Sequence, residues 1–182
     1  MTTFKNISPI PIIELTEEFL TAKKSSQLYY KTDSHWSAFG ANFAYQILMK
    51  KTQSRFSSIR IVSLDDFAIE WKKVKMDIAT LLDLNIYEKK AFLGSKFELI
   101  TKEKRTERII KLSCPSANND LKLLMFRDSY GRELIPFMAS SFSNSTFIWN
   151  YKIDHETFKE EKPDVLVIEV VERSLERLRM IQ

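Results

Sequence analysis

The sequence predicts an α/β fold in three layers, with a mostly parallel sheet that is covered by helices on both faces. Two apolar runs bounded by polar residues, 121–126 and 163–170, have the composition of strands that are buried on both faces. A third apolar run, 145–150, lies between them, and segments of helical character separate the runs. Because strands that alternate with helices form right-handed crossovers, parallel pairing is expected.

Composition predicts a single globular domain over residues 1–182. The chain is 44% hydrophobic and has only three glycines and five prolines, which disfavours both disorder and a turn-dense all-β fold. Its 28 basic residues are interspersed with 24 acidic ones, so nucleic-acid binding is not expected, even for the basic stretch 102–111. The single cysteine, Cys114, excludes an internal disulfide and a cysteine-based zinc site. No metal or other cofactor is expected, and the sequence as written contains no membrane anchor and no signal-peptide pattern.

The elements of the N-terminal part are predicted from short patterns. Residues 10–15 are an apolar stretch typical of a strand, and the segment that opens with Thr16 and two glutamates is expected to be a capped helix. A short extended piece, 28–33, follows. From Ser37 onward, a helix of about three or four turns is predicted from its apolar face. That face consists of Phe39, Phe43, Ile47 and Leu48.

The remaining elements follow in order. Residues 65–84 are expected to contain a strand and then a short helix near 78–82, and 96–114 to contain two strands joined by a charged turn. A turn and helix are predicted for 127–142, and a short helix for 155–162.

Ser129 is the first candidate for chemistry, because it directly follows a predicted buried strand. In parallel sheets, ligands bind beyond the carboxyl ends of the strands. A serine there lies close to a helix N-terminus, whose free N–H groups can stabilise an oxyanion. The alternative is that Ser129 is simply an N-cap, a role that Asp128 could fill equally well.

A nucleophilic serine needs a base, and the chain has only two histidines. His155 lies at the polar start of a short helix, where a solvated surface position is the simpler interpretation. His35 follows Asp33 by two residues, and in an extended segment both side chains project to the same side, so the carboxylate can orient the ring. The alternatives are a helix cap for Asp33 and core packing for Trp36. Together, Asp33, His35 and Ser129 would supply orienter, base and nucleophile.

Three stretches resemble the SGNH hydrolase-like family of alginate O-acetylation proteins, the AlgX/AlgJ group. They are YYKTDSHWSAFGA with its Asp-x-His-Trp pattern (29–41), MFRDSYGRELIPFMASSF with its Asp-Ser-aromatic turn (125–142), and EKPDVLVIEVVERSL (161–175). The resemblance implies an SGNH-hydrolase-like, flavodoxin-like fold with a permuted motif order of Asp, His and then Ser. Because Asp-x-His-Trp begins only 33 residues from the start, a shortened or N-terminally truncated member is expected.

The resemblance also implies roles for individual residues. Ser129 would be the nucleophile, His35 the general base and Asp33 its orienter. The candidates for oxyanion or substrate contacts are Arg173, Tyr151, Asn150, Trp36, Tyr30 and Arg127. Aromatic side chains around the site, with Tyr29 and Trp149 among them, could stack on sugar rings if they are exposed, and core packing is the alternative for them.

The activity implied by the resemblance is serine-dependent O-acetyl transfer to an extracellular polysaccharide such as alginate, in exopolysaccharide biosynthesis. The acetyl donor would be supplied by way of a membrane acyltransferase partner, and the location would be the periplasm or another extracytoplasmic compartment. Two alternatives stay open at this point. One is a carbohydrate acetylesterase with the same triad, and the other is an inactive module that binds polysaccharide or assembles with a partner.

Overall fold

A computed structural model describes residues 10–105 and 108–180 and has seven strands and five α-helices in these ranges. The strands are β1 (Phe67–Val74), β2 (Glu88–Ser95), β3 (Ile100–Arg105), β4 (Ile109–Ser113), β5 (Lys122–Arg127), β6 (Asn144–Trp149) and β7 (Val165–Ile168). The helices are α1 (Thr16–Ala22), α2 (Ala38–Gln53), α3 (Asp77–Leu81), α4 (Ile135–Ser141) and α5 (His155–Glu161). Short 3-10 helices span Leu64–Asp66, Pro115–Ala117, Tyr130–Leu134 and Glu172–Met180.

The main sheet has five strands in the order β3-β4-β6-β5-β7. The α/β class is confirmed, but the sheet is mixed rather than mostly parallel. β5 pairs in parallel with β6 and β7, whereas β4 pairs antiparallel with β3 and β6. The physical reason for the antiparallel pairing of β3 with β4 lies in the length of the connection between them. Helices α4 and α5 provide crossovers only after β5, whereas β3 and β4 follow each other through a short connection that can join only antiparallel neighbours. The charged turn predicted there, 106–107, lies outside the described residues.

The two faces of the main sheet bury apolar side chains in clusters of different size. On one face, Leu123 and Met125 of β5 pack with Tyr45 of α2 and Phe137 of α4 in the main core. On the other face, Leu124 and its neighbours form a smaller cluster. The expectation that β5 is buried on both faces is therefore confirmed. The same expectation for β7 is wrong, because β7 lies at the sheet edge and its Leu166 is 37% exposed.

A second, two-stranded sheet is formed by β1 and β2, which pair antiparallel along their full length. The predicted strand and short helix in 65–84 correspond to β1 and α3, whereas β2 has no counterpart among the predicted elements. Helix α3 and residues 82–87 connect β1 to β2. This small sheet is separate from the five-stranded sheet in its hydrogen bonding and contributes to the site described below.

Three predictions for the N-terminal part need correction. Residues 11–15 form no strand, and α1 starts at Thr16 without a side-chain cap. Helix α2 is present, but its predicted apolar face is only half-buried, and the fully buried positions include Ala41, Tyr45 and Met49. The absence of a side chain at Gly40 lets α2 approach the backbone at Leu28 closely, because a Cβ on Gly40 would collide with the carbonyl of Leu28.

Candidate active site

Ser129 lies directly after β5, in the turn that leads into the 3-10 helix Tyr130–Leu134. Its side chain makes no capping hydrogen bond. The side chain of Asp128 accepts the backbone hydrogen bonds of this turn instead. Its Oδ1 accepts from the N–H of Tyr130 at 2.7 Å and its Oδ2 from the N–H of Val171 at 2.8 Å. The N-cap interpretation therefore applies to the aspartate, and the Ser129 hydroxyl is available for another contact.

That contact is with His35, whose ring joins two side chains that are far apart in sequence. His35 Nε2 lies 2.9 Å from Ser129 Oγ, and His35 Nδ1 lies 2.8 Å from Asp33 Oδ1. The backbone N–H of His35 donates to the same Asp33 oxygen at 3.0 Å. Both side-chain distances fall within the range of about 2.6 to 3.2 Å that nucleophile and base require. The structure therefore brings the three predicted residues together in one hydrogen-bonded chain.

Burial and charge set the protonation of this chain. The hydrogen bond that the His35 ring donates to the Asp33 carboxylate is the main cause that raises the pKa of His35 above its ordinary value, and burial opposes it. Burial alone would raise the pKa of Asp33, but the hydrogen bonds from the His35 ring and backbone outweigh it and hold that pKa below its ordinary value. With Asp33 ionised, the proton of neutral His35 is held at Nδ1, and Nε2 is left as an acceptor facing Ser129.

A second carboxylate, that of Asp77, lies on the same side of the His35 ring. Its role was not identified from the sequence. Asp77 is the first residue of α3, and its Oδ2 lies 3.3 Å from His35 Nδ1. Its Oδ1 accepts from the backbone N–H of Ser34 at 2.7 Å, and the Ser34 hydroxyl donates to Oδ2. No local pattern could have linked α3 to the histidine, because the two are neighbours only through tertiary structure.

Asp33, His35 and Asp77 could also be considered as metal ligands, since one ligand atom from each lies within 4.8 Å of the others. Both ring nitrogens of His35, however, already have hydrogen-bond partners in Asp33 and Ser129. The arrangement therefore fits proton transfer better than metal binding.

Glu88, the first residue of β2, holds the segment that precedes the histidine. Its carboxylate accepts from the N–H groups of Lys31 at 3.2 Å and Thr32 at 2.6 Å, and also from the Thr32 hydroxyl. Burial alone would raise the pKa of Glu88, but these hydrogen bonds, chiefly that from the Thr32 hydroxyl, lower it. The loop that carries Asp33 and His35 is thus fixed by carboxylates from both ends of the α3–β2 segment.

Tyr130 connects the serine turn to the histidine loop and to Arg173. Its hydroxyl donates to the carbonyl of Ser34, and its ring centroid lies 4.9 Å from that of His35. Arg173 Nη1 donates to the Tyr130 hydroxyl at 3.1 Å, and the guanidinium lies 5.2 Å from the ring centroid. The positive charge of Arg173 also lowers the pKa of His35. Arg173, a candidate for an oxyanion or substrate contact, is therefore close to the site.

Three of the proposed substrate contacts are buried in the structure. Trp36 is 7% exposed and donates from Nε1 to the carbonyl of Tyr130 at 2.9 Å. Tyr30 is 8% exposed, and its hydroxyl accepts from the N–H of Ala91 at 3.2 Å. The side chain of Arg127 is fully buried.

The alternative of core packing therefore applies to Trp36 and Tyr30, and Arg127 is buried as well. Trp36 is hydrogen-bonded to Tyr130 and Tyr30 to Ala91 of β2. Arg127 Nη1 donates to the carbonyl of Asp128 at 2.9 Å in the serine turn. Of the candidate aromatics, Tyr29 and Trp149 are the ones that remain exposed, at 45% and 42%.

Asn150 and Tyr151 follow β6 and have contacts of their own. The Asn150 side-chain oxygen accepts from the N–H of Lys152 at 3.1 Å, and the Tyr151 ring lies 4.9 Å from the guanidinium of Arg177. Within the described residues, no hydrogen bond joins either side chain to the Ser129–His35 pair. Their predicted roles at the oxyanion stay predictions.

Glu169, which directly follows β7, supports the serine turn from below. Its Oε2 accepts from the N–H of Asp128 at 3.1 Å, and it also accepts from the N–H of Gly131. Burial, and then the charge of Asp128, raises the pKa of Glu169 to about 8. A Cβ on Gly131 would lie 2.6 Å from Arg127 Cβ and 2.7 Å from Glu169 Oε2, so the turn is closely packed. The glutamate was visible in sequence only as a residue after an apolar run.

Fold and geometry together define an α/β protein with a hydrogen-bonded serine–histidine–aspartate site after an inner strand of the main sheet. The chain belongs to the family described as ALGX: SGNH hydrolase-like domain, acetyltransferase AlgX, whose model matches residues 7–108. That match confirms the resemblance seen in the sequence and indicates an enzyme of the acetyltransferase class. It includes Asp33 and His35 but ends before Ser129, so the serine is assigned from geometry. Among curated proteins, none matches.

Several solved structures share the fold. Bacillus cereus PatB1 is 18% identical with a TM-score of 0.67, and the match covers 90% of this chain and 69% of PatB1. A DHHW family protein from Eubacterium siraeum is 15% identical with a TM-score of 0.71, covering 90% of this chain and 67% of that protein. The O-acetyltransferase domain of Pseudomonas putida AlgJ is 19% identical with a TM-score of 0.54, covering 89% and 59%.

Within the part of the chain that the structure describes, no helix combines the length and the apolar character needed to cross a bilayer.

Proposed function

We propose that this chain is a serine-dependent O-acetyltransferase that acetylates an extracytoplasmic polysaccharide through an acetyl-Ser129 intermediate. The observation that carries the proposal is the position of His35, whose two ring nitrogens lie 2.8 Å from Asp33 and 2.9 Å from Ser129. The family supports acetyl transfer in general, and this geometry supports the serine mechanism in particular.

In the first half-reaction, Ser129 Oγ attacks the carbonyl carbon of the donor's acetyl group while His35 Nε2 takes the hydroxyl proton. Asp33 stabilises the positive charge that the ring then carries. When the tetrahedral intermediate collapses, the bond to the donor's leaving group breaks and His35 returns the proton to that group. In the second half-reaction, His35 takes a proton from a sugar hydroxyl, whose oxygen attacks the acetyl-serine and releases Ser129 with its proton restored.

The hydrogen bonds of the serine turn limit which of its backbone N–H groups can bind the oxyanion. The N–H groups of Asp128 and Gly131 donate to Glu169, and that of Tyr130 donates to Asp128. Within the described residues, the N–H of Ser129 has no such partner, so it is the backbone donor that we assign to the oxyanion. Arg173, held against Tyr130, is the side-chain candidate for a second donor or for the acyl carbonyl.

The substrates and the location are part of the proposal. We place the enzyme in the periplasm or another extracytoplasmic compartment, with an alginate-like exopolysaccharide as acceptor and an acetyl donor delivered through a membrane acyltransferase. The exposed rings of Tyr29 and Trp149 are available for stacking on sugars. If water replaces the sugar hydroxyl in the second half-reaction, the same residues give a carbohydrate acetylesterase.

The proposal is tested by incubating the protein with an activated acetyl ester, with and without polysaccharide. We expect acetate release that a sugar acceptor diverts into acetylated glycan, and a loss of at least about 1,000-fold in Ser129→Ala. Ser116→Ala, which changes an exposed serine, is the control and keeps full activity.

Two results would change the assignment. Acetate release that no glycan can divert identifies an acetylesterase. A folded protein that releases no acetate and is not labelled at Ser129 by a sulfonyl fluoride is the inactive binding or assembly module. A sulfonyl reagent is a suitable probe because PatB1 has also been solved with a sulfonyl adduct.

A further inference from the structure

An exposed apolar segment lies beside the site and has no role in the chemistry above. All eight residues from 80 to 87 are exposed, and five of them are large and apolar. The exposed fractions are 84% for Leu81, 60% for Leu82, 40% for Leu84, 46% for Ile86 and 55% for Tyr87. Single exposed apolar side chains are ordinary, but a contiguous group of this kind marks an interaction site.

Lysines lie next to this segment, at the end of the two-stranded sheet from which it emerges. Lys72 is directly opposite Lys90, and Lys73 is directly opposite Lys89. Like charges in directly opposite positions destabilise a pair of strands, so these pairs do not serve stability. Lys72 and Lys90 are close to carboxylates. Among the described side chains, no ion pair joins Lys73 or Lys89 to a carboxylate, which leaves two exposed positive charges side by side.

The acidic residues of the same region do not offset this charge. Residues 72–90 contain five lysines and three carboxylates. Asp77 accepts hydrogen bonds from Ser34, and Glu88 accepts them from Thr32, so both are directed at the histidine loop. The third, Asp83, lies 3.5 Å from the ammonium group of Lys75. The exposed face of the segment is therefore apolar at its tip and basic along its flank.

We propose that this surface, residues 81–87 with Lys73 and Lys89, docks on an anionic lipid bilayer. Leucine, isoleucine and tyrosine side chains at a protruding turn can enter the boundary between headgroups and acyl chains, while flanking lysines contact anionic headgroups. A protein partner with an acidic rim would match the charges, but it would also need a groove for side chains that protrude as far as Leu81 and Leu82. A bilayer accepts them without a shaped partner.

The location of the surface connects it to the site. Asp77 at the start of α3 and Glu88 at the start of β2 hold the loop that carries Asp33 and His35. Both ends of the apolar segment are thus fixed to the histidine loop, and docking would hold the site next to the membrane surface. The inference goes beyond the proposed acetyl transfer and does not depend on it, because bilayer binding needs neither Ser129 nor His35.

The test is co-sedimentation with vesicles of phosphatidylcholine alone or mixed with phosphatidylglycerol. We expect the wild-type chain to bind the mixed vesicles, less so at high salt, and to bind phosphatidylcholine weakly. Leu81→Ser with Leu82→Ser should weaken binding at least tenfold, and Lys73→Gln with Lys89→Gln should remove the preference for phosphatidylglycerol. The matched control is Phe158→Ser on α5, an apolar side chain that is 41% exposed and should not matter.

Other outcomes would overturn the inference. They are a wild-type chain that does not sediment with anionic vesicles, or leucine variants that bind as the wild type does. A wild-type dimer that becomes monomeric in the leucine variant would also overturn it, because a second copy would then be the occupant. Acetate release from a soluble ester should be unchanged in the leucine variant, which keeps this result separate from a failure of the acetyltransferase assignment.

Discussion

The two halves of the site are held by different forces. On the nucleophile side, Ser129 follows a strand with complete burial of its last residues, and Arg127 and Asp128 are 0% and 1% exposed. On the base side, the His35 side chain is 28% exposed, and its loop is fixed by hydrogen bonds to carboxylates from the α3–β2 segment. Close packing and buried hydrogen bonds thus position the serine, whereas polar contacts nearer the surface position the histidine.

This difference predicts how each half responds to substitution. Overpacking beneath the serine should lower stability, because buried groups cannot move aside. Loss of a polar contact at the histidine loop should instead lower the rate with little loss of stability, because surrounding water can replace the lost bond. The predictions below test this contrast, from the largest expected effect to the smallest.

The largest effect is expected from Asp33→Asn. An asparagine keeps the size of the side chain but no longer favours the proton at Nδ1 of His35, so Nε2 is not reliably a base. The acetate-release rate should fall on the order of 10,000-fold, as for the equivalent change in other triads. Asp83→Asn, at an exposed aspartate, is the control and should retain the wild-type rate. A comparable rate in both variants would remove Asp33 from the mechanism.

The next effect is on stability and concerns the serine turn. In Gly131→Ala, the new methyl would lie 2.6 Å from Arg127 Cβ, which is part of the buried strand and cannot move aside. Unfolding should become easier by about 1 to 3 kcal/mol, measured by chemical denaturation. The matched control is Gly94→Ala, where the nearest atom to the new methyl is 3.8 Å away and no loss is expected. Equal stability of the two variants would contradict the packing argument.

A smaller effect is expected from Glu88→Gln on the base side. The amide retains one acceptor oxygen where the carboxylate held Lys31 and Thr32 with two. We expect a stability loss of about 1 kcal/mol. The rate should fall on the order of tenfold, since a small displacement of a catalytic loop is costly. Glu70→Gln, at an exposed glutamate of β1, should change neither. A variant that loses much stability but no activity would show that the loop is packed like the serine turn.

The smallest effect is a shift in pH dependence. Asp33, and to a smaller extent Asp77, raise the pKa of His35 above its ordinary value of 6.5 against the opposing effect of burial. Activity should therefore rise with pH through that elevated pKa as the ring becomes neutral. Asp77→Asn removes one of the causes that raise the pKa, so the rising limb should move to lower pH. A limb that moves to higher pH, or not at all, would show that Asp77 does not act on the ring.

The same elevated pKa predicts how stability depends on pH. His35 binds its proton more tightly in the folded state than in the unfolded state, so its contribution to stability is complete at pH values below its ordinary pKa. It is lost as pH rises through the folded-state pKa, and Asp77→Asn should reduce it. Denaturation midpoints between mildly acidic and mildly alkaline pH measure this contribution independently of activity.

The sequence was sufficient for those features that depend on local pattern. The strand before Ser129, the Asp33–His35 spacing and most helices could be predicted, because period and spacing are local properties. The mixed sheet could not, since pairing direction depends on which strands meet in space. Asp77, Glu88 and Glu169 were missed for the same reason. Whether Trp36 is exposed or packed in the core stayed open in the sequence, because its burial depends on Tyr130 and the surrounding core.

The most direct test of the central claim is to quench the protein during turnover of an activated acetyl ester and identify the acetylated residue by mass spectrometry of its peptides. The account predicts an acetyl group on Ser129 in the wild-type protein and a strongly reduced yield in His35→Gln, because Nε2 would no longer take the hydroxyl proton. An acetyl group on another residue, or the same yield on Ser129 without the histidine, would contradict it.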